Sequence, residues 1–145
     1  MRSGNMSRIL KRALASAAVT AATFFSVSAS QASEATGIWI DHTGRGAVEI
    51  VNCGNGLCGR VVWVQDAANS EACGMQIIGN AKPVGGGRYD NGWIYDPDAS
   101  RRYSVEITPL GGGRLKVMGY AGSKFLSETM IWRRAPSNLK RCSSA

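Results

Sequence analysis

The feature that most constrains this chain is the segment from Ala47 to Val64, AVEIVNCGNGLCGRVVWV. Two runs rich in β-branched residues flank a Gly-Asn-Gly turn, and a cysteine stands on each side of that turn. This pattern is typical of a β-hairpin. A single hairpin is not stable alone in water, because its apolar face needs further sheet to cover it. The segment therefore predicts a larger antiparallel structure built around it.

The two cysteines predict the register of this hairpin. If Cys53 lies opposite Cys58, the apolar residues of the two strands form two pairs on one face. These pairs are Ile50 with Val61 and Val48 with Trp63. The other face then carries Glu49, Val51, Arg60, Val62 and both cysteines. Sliding the pairing by one residue would mix the two sets, so we expect a strongly specified register.

Residues 1–32 have the pattern of a secretory signal peptide. Basic residues precede an uncharged run from Ala13 to Val27, and small residues follow that allow cleavage after Ala29 or after Ala32. The run is about 15 residues long, short of the ~20 that a membrane-spanning helix needs. We therefore expect cleavage, no membrane span in the mature chain, and an exported protein that is periplasmic or secreted.

Removal of this leader changes the charge balance of the chain. Four of the 17 Lys and Arg residues lie in the leader and all ten Asp and Glu residues follow it, which leaves 13 basic against ten acidic residues, a net charge of +3. The remaining basic residues form no dense run. This distribution argues against nucleic-acid binding.

The mature chain, about 113 residues long, keeps all four cysteines. They are Cys53, Cys58, Cys73 and Cys142. An even number of cysteines in a small exported domain favours two disulfides. Of the three possible pairings, the hairpin register selects Cys53 with Cys58 and leaves Cys73 with Cys142. Zinc is the alternative, but the C-x4-C spacing has no second pair after it, so we expect no metal and no cofactor.

Two further segments carry a strand pattern. The first is a second hairpin in residues 102–120, for which alternation predicts a self-consistent register. Its predicted pairs are Ile107 with Leu115, Val105 with Val117 and Tyr103 with Gly119. The second is the run 125–134, whose more apolar face also holds Glu128 and Arg134. On a core face, each of these two charges needs a partner or water.

Residues 65–88 are polar and rich in glycine, and only Met75 to Ile78 indicates a brief strand. A segment of this length without clear elements is often functional or a lid, here fixed by Cys73. No long helical period appears after residue 32. Many short strands with Gly and Pro turns predict an antiparallel sandwich or barrel, and closing the edges favours the barrel. We divide the chain into a signal peptide at 1–32, a barrel domain at 33–134 and a polar tail at 135–145.

An ordered set of short motifs runs from Gly37 to Arg134. The motifs are Gly37-x-Trp39, Cys53-Gly-x-x-Leu-Cys58-Gly, Gly92-Trp93-Ile94-Tyr95-Asp96-Pro97 with Tyr103, Leu115-Lys116-Val117-x-Gly119-Tyr120, and Trp132-x-Arg134. This set resembles the small exported bacterial proteins grouped as the "domain of unknown function 2147" family. The resemblance implies a small antiparallel lipocalin-like β-barrel and no established activity. It also implies that Arg134 stacks on Trp39 at the closed end as a structural contact.

For function, the residues favour binding over catalysis. The chain has no strained Gly-x-Ser-x-Gly elbow, no His-rich metal motif and no phosphate loop, so we do not expect an enzyme. We expect a barrel that binds an apolar or amphipathic small molecule. The candidate ligand-binding residues are Trp63, Trp93, Tyr95, Tyr103, Tyr120, Glu128 and Trp132. Two alternatives stay open: a packed barrel that meets a cell-envelope protein through its outer face or the 65–88 segment, and an enzyme acting on envelope material.

Overall fold

The structure is a computed structural model that describes residues 34–143, so the expected signal peptide lies outside the described residues. Eight antiparallel strands form a closed barrel in which each strand pairs with the next and the first pairs with the last. The strands are β1 (Gly37–Ile40), β2 (Gly46–Cys53), β3 (Gly56–Val64), β4 (Gln76–Gly85), β5 (Arg88–Asp96), β6 (Arg101–Gly111), β7 (Arg114–Ala121) and β8 (Ser123–Arg134). A short 3-10 helix, Ala67–Ala72, lies between β3 and β4. The predicted all-β barrel is confirmed.

The core is formed by the strand faces that point into the barrel. On β6, Val105 and Ile107 have no exposed surface, while Thr108 lies on the other face. The largest fully buried side chains are Trp39, Ile50, Leu57, Ile78, Ile107, Leu115, Val105 and Val117. Burial of such a side chain contributes roughly 1.5–3 kcal/mol. The interior is therefore the main source of stability.

The first hairpin has a register two residues away from the predicted one. The observed pairs include Cys53 with Gly56, Val51 with Cys58, Ile50 with Gly59 and Val48 with Val61. The prediction that Cys53 lies opposite Cys58 is therefore wrong. The physical reason is that a tight two-residue turn at Gly54 and Asn55 joins the strands, with φ of 61° at Gly54. The shift is even, so the apolar residues of β2 keep their predicted face. A bulge pairs Trp63 with Ala47, which removes Trp63 from the face of Val48.

The second hairpin is also shifted by two residues. The observed pairs include Pro109 with Leu115, Ile107 with Val117 and Val105 with Gly119. The predicted pairing of Tyr103 with Gly119 is therefore wrong. The cause is again a short turn, since Gly111 pairs with Arg114 and leaves only two glycines between them. The predicted faces remain correct because an even shift preserves them.

The segment 65–88 contains more regular structure than its sequence indicates. It holds the 3-10 helix and the whole of β4, which pairs with β3 on one side and β5 on the other. The brief strand expected at 75–78 is thus the start of a ten-residue strand. Irregular registers in both ladders and a φ of 54° at Asn80 interrupt the alternation that would have indicated it.

Both predicted disulfides are present. The hairpin disulfide joins Cys53 to Cys58 with a Cα–Cα distance of 5.8 Å, and the tail disulfide joins Cys73 to Cys142 at 6.0 Å. Residues 135–143 form no helix or strand. They are held along β2 and β3, because the Cys142 amide donates to the Val62 carbonyl, 2.6 Å away, and Arg141 pairs with Glu49. The tail is therefore held in place on the outer surface of the barrel.

One end of the barrel is closed by Arg134 and Trp39. The guanidinium carbon lies 3.8 Å from the centre of the Trp39 ring, and the two terminal nitrogens donate to the carbonyls of Thr36 and Glu34. Gly37, with φ of 117°, lies under this arginine, and a Cβ there would come 2.2 Å from a guanidinium nitrogen. The contact implied by the family resemblance is present, and it requires a glycine at this position.

The two ends of the barrel differ in their connections. We call the end with Trp39 and Arg134 the closed end, where two-residue turns join β2 to β3 and β6 to β7. The opposite, open end carries the β1–β2 turn, the 65–75 connection, the β5–β6 turn and the tip between β7 and β8. Within residues 34–143, no helix combines the length and apolar character needed to cross a bilayer.

Candidate functional site

The inner face of the barrel changes from packed to accessible toward the open end. Near the closed end Leu115 and Val117 have no exposed surface. Further along the same face, Tyr103 and Met130 are only partly buried. Glu128 pairs across the ladder with Gly119, and Gly119 pairs with the core residue Val105, so all three lie on the inner face. Glu128 is nevertheless exposed. We call Tyr103, Gly119, Glu128 and Met130 the open inner face.

Glu128 is chemically available. Among residues 34–143, no hydrogen bond or ion pair engages its carboxylate, whereas Asp90 and Glu106 are both tightly held. Its neighbours on the open inner face are a tyrosine ring, a methionine and a glycine. A free carboxylate beside an apolar and aromatic surface suits a ligand that has a cationic or hydrogen-bond-donating group on an apolar body.

Two turns at the open end are connected by an exposed ion pair. Arg45, in the turn after β1, lies 3.3 Å from Asp98, in the turn after β5, although these two turns are not neighbours in the barrel. Their side chains are 63% and 78% exposed. An ion pair so exposed contributes at most about 1 kcal/mol. The ion pair can therefore open at little cost in free energy.

Deeper in the barrel, the Trp132 side chain has an unsatisfied donor. The residue is 3% exposed and lies opposite Leu115 on the inner face. Its indole Nε1–H has no hydrogen-bond acceptor within residues 34–143. Buried polar groups are nearly always paired, and this donor is an exception to that rule within the described residues.

The structure divides the predicted ligand-binding residues between the two faces of the sheet. Tyr103, Glu128 and Trp132 lie on the inner face. Trp63, Trp93, Tyr95 and Tyr120 lie on the outer face by register. Trp93 and Tyr95 flank the core residue Ile94, so alternation directs both away from the interior. The two sets cannot line one cavity, and a role for any of these seven residues in ligand binding stays a prediction.

The outward Trp93 is held flat against the barrel. A Cβ on Gly79 would lie 2.3 Å from its indole ring, and the Arg102 guanidinium carbon is 4.1 Å from the ring centre. Backbone therefore covers one side of the ring and a cation covers the other. This arrangement has the form of a structural sandwich, which leaves neither ring face free for stacking.

The outer face also holds a buried polar cluster that sequence reasoning missed. We call its four members, Asp90, Glu106, Tyr120 and Lys124, the clasp. The ammonium of Lys124 lies 2.6 Å from a carboxylate oxygen of Asp90 and also contacts Glu106, and the Tyr120 hydroxyl donates to Asp90 at 2.7 Å. Asp90 and Glu106 are only 7% and 4% exposed. Four different strands contribute to this cluster, so it depends on register that the sequence pattern does not specify.

The clasp is electrostatically satisfied. Burial alone would raise the pKa of Asp90, but hydrogen bonds from Lys124, Tyr120 and the Asn91 amide outweigh it and lower that pKa. Hydrogen bonds to Asp90 and Glu106 raise the pKa of Lys124, and burial together with the bond to Asp90 raises the pKa of Tyr120. The Asp90 carboxylate is therefore charged at neutral pH, and both carboxylates are paired with Lys124, which indicates a structural role for the clasp.

Two other features lie apart from the open inner face. A shallow groove at the closed end lies between β1 and the tail, but its arginines, Arg134 and Arg141, are both engaged by other groups. His42 is exposed in the β1–β2 turn. In the part of the chain that the structure describes, no group of three or more His, Cys, Asp and Glu side chains could hold a metal ion.

Comparison with known proteins gives a family and a fold. Residues 37–134 match the model of the family described as "Uncharacterized protein conserved in bacteria (DUF2147)", and the chain belongs to that family. Among solved structures, the chain is similar to protein HP1028 from the human pathogen Helicobacter pylori, described as belonging to the lipocalin family. The TM-score is 0.59 at 15% sequence identity, with 70% of this chain and 83% of that chain covered. No curated protein matches. This barrel is therefore lipocalin-like in fold.

Proposed function

We propose that this DUF2147 protein binds a small amphipathic molecule at the open inner face of its lipocalin-like barrel. The observation that supports this function is the free carboxylate of Glu128, which stands on the inward face of β8 without a partner among the described residues. An unpaired charge on a face that is otherwise apolar has no evident role in stability. A ligand with a cationic or donating head would satisfy it.

The packing of the interior limits the size of the ligand. Val105, Ile107 and Val117 are fully buried just below the open inner face, so the closed half of the barrel is filled by the protein's own side chains. The apolar part of the ligand must therefore lie against Tyr103 and Met130. We propose a compact ligand held at the barrel mouth, and a long acyl chain that runs through the barrel does not fit.

Export belongs to the same proposal. The two disulfides support an oxidising compartment, since cytosolic proteins rarely keep structural disulfides. Cell fractionation with mass measurement of the exported form tests it. We expect protein recovered outside the cytoplasm to have the mass of a chain that begins after residue 29 or after residue 32. An intact chain in the cytoplasm would contradict it.

The second candidate function is a packed module that binds a protein of the cell envelope. The filled closed half of the barrel favours it, as do the exposed apolar side chains Phe125 and Leu126 at the β7–β8 tip. The two candidates differ in what occupies the inner face, and a titration distinguishes them.

The test is calorimetric titration with three small amphiphiles that share one apolar body and carry a cationic, neutral or anionic head. We expect the cationic one to bind best, and Glu128→Gln to weaken it about fivefold, since an exposed charged hydrogen bond is worth about 1 kcal/mol. Glu71→Gln, an exposed acid on the 3-10 helix, is the matched control and should not change affinity. No binding by any of the three, or equal binding by Glu128→Gln, would refute the proposal.

A further inference from the structure

The net positive charge of the barrel lies on the outer face of β4 to β8. Seven basic side chains lie on this face, and its acids are the two buried carboxylates of the clasp, which leaves a net charge of +5. The rest of the described chain holds six basic and eight acidic residues, a net charge of −2. The seven basic residues are Lys82, Arg88, Arg102, Arg114, Lys116, Lys124 and Arg133.

Two of these cations lie directly opposite each other near the closed end. The β7–β8 ladder pairs Arg114 with Arg133, beside the inward pair of Leu115 with Trp132, so both arginines point outward. Opposed side chains on adjacent strands are about 5 Å apart at Cβ, and like charges there are destabilising. Both arginines are exposed, and neither has an acidic partner among residues 34–143. Nothing in the described part of the chain offsets their repulsion, which an external anion would relieve.

The chemistry of this pair suits a phosphate group. A guanidinium group presents a planar set of donors that matches the oxygens of phosphate, and two such groups can hold one phosphate between them. Lys116, the diagonal neighbour of Arg133, lies 3.9 Å from Glu106 and is therefore only loosely held. Salt screens exposed charges, so a single phosphate would bind weakly. Several phosphates presented together would bind more tightly, because each further contact is intramolecular.

Exposed apolar side chains accompany these cations. Ile131 is opposite Lys116 and is 38% exposed. Leu110 precedes the β6–β7 turn and Val84 the β4–β5 turn, both at the closed end, and they are 41% and 40% exposed. Proteins that bind a bilayer peripherally combine cations for anionic headgroups with apolar side chains that reach the acyl boundary.

We propose that the outer face of β4 to β8, at its closed-end half, binds the surface of an anionic lipid bilayer, with Arg114 and Arg133 holding a lipid phosphate. The apolar side chains among the cations favour a bilayer over a soluble polyanion, which has no apolar layer to receive them. This surface lies on the opposite side of the sheet from Glu128 and does not depend on ligand binding at the open inner face.

The experiment is co-sedimentation of the chain without residues 1–32 with two kinds of vesicle, one of phosphatidylcholine alone and one of equal parts phosphatidylcholine and phosphatidylglycerol. We expect binding only to the vesicles that contain phosphatidylglycerol, with loss of binding in about 1 M salt, where the Debye length is about 3 Å. Glu128→Gln should bind these vesicles as the wild type does, which separates this proposal from the proposed ligand site. Absence of binding to the anionic vesicles would overturn the proposal.

Two soluble anions distinguish the other sources of the same chemistry. Inorganic phosphate and polyaspartate are each titrated into the protein by calorimetry, and we expect both to bind at least about tenfold more weakly than the anionic vesicles. Binding of either one as tightly as the vesicles would overturn the assignment of a bilayer to this surface.

A charge reversal separates a binding role from a structural one. Arg114→Glu gives Arg133 an opposite charge on the neighbouring strand, so the urea midpoint should rise, while vesicle binding should weaken at least about tenfold. The double variant Arg45→Gln with Lys140→Gln removes the same total charge at exposed sites elsewhere and is the matched control, expected to change vesicle binding less than about twofold. Binding that survives Arg114→Glu, or an equal loss in the control, would overturn the proposal. A urea midpoint lowered by Arg114→Glu would show that the pair is structural and would overturn it as well.

Discussion

Replacing Lys124 by methionine tests the role of the clasp. The substitution keeps most of the side-chain volume and removes the ammonium, which leaves Asp90 and Glu106 facing each other. Their side chains are 10% and 5% exposed, while that of Lys124 is 45% exposed. Two charge-assisted hydrogen bonds are lost, and the two carboxylates left behind cannot be fully solvated.

The expected magnitude follows from the burial of the three groups. Breaking a fully buried ion pair by removing one partner costs about 3–5 kcal/mol. The cost here is smaller, because water reaches the lysine and Glu106 keeps Arg88 at 3.4 Å and Lys116 at 3.9 Å. We expect a loss of about 2 kcal/mol in the free energy of unfolding at neutral pH, and a fall in Tm of about 10 °C.

Urea denaturation of the oxidised protein, measured at several pH values, is the assay. The Asp90 pKa is lowered in the native protein, so its contribution to stability is present above the ordinary carboxyl pKa of 3.8 and is lost as the pH falls through the folded value. The difference between wild type and Lys124→Met should therefore narrow as the pH falls below 3.8. Lys140→Met, an exposed substitution in the tail, is the control. A loss under about 0.5 kcal/mol, or a gap that persists in acid, would refute the reasoning.

Two further predictions concern stability. Loop-closure entropy gives roughly 4 kcal/mol for the tail disulfide, which spans 69 positions, and roughly 2 kcal/mol for the hairpin disulfide, which spans five. Replacing both cysteines of the tail disulfide by serine should therefore lower the urea midpoint more than the same replacement in the hairpin disulfide. Equal losses would contradict this order. Arg134→Leu should lower the free energy of unfolding by about 1–3 kcal/mol in chemical denaturation, because the stacking on Trp39 and two hydrogen bonds to carbonyls are lost. Arg134→Lys should recover only part of this loss. Full recovery by lysine would show that charge alone matters.

The strand faces could be predicted from sequence better than the strand pairings. Alternation placed Val48 and Ile50 on one face of the first hairpin, and Val105 and Ile107 on one face of the second hairpin. Both of these faces lie in the core. Both hairpin registers were wrong by two residues, because a period of two cannot distinguish even shifts. Turn length decides between those shifts, and the glycine-rich turns allowed more than one length.

The candidate site was predictable only in part. Tyr103 and Glu128 lie on strands with regular alternation, and the structure has both on the inner face. Trp63 lies beyond a bulge, which shifts the face of every later residue in β3 and leaves no signal in the pattern. The clasp residue Lys124 reaches the outer face from an irregular part of the β7–β8 ladder, so spacing could not connect it to Asp90.

β1 has four residues and forms only two pairs with the twelve-residue β8, and the sequence carried a signal of this difference. The first strand pattern covers about five residues and the last about ten, and strands of such unequal length cannot cover each other along a barrel seam. Comparing the lengths of the first and last strand patterns is thus a way to recognise incomplete closure of a barrel from its sequence.

The tail disulfide gives the molecule an unusual response to pulling. Tension applied between its two ends passes through the covalent bond from Cys73 to Cys142, so the covalent path bypasses the 69 positions between them, which include β4 to β8. In a stretching experiment the oxidised protein should extend only through β1 to β3 and the connection to Cys73. Adding a reductant opens both disulfides and should release roughly 260 Å more of contour length, of which roughly 240 Å comes from the 69 positions of the tail disulfide, at about 3.5 Å per residue.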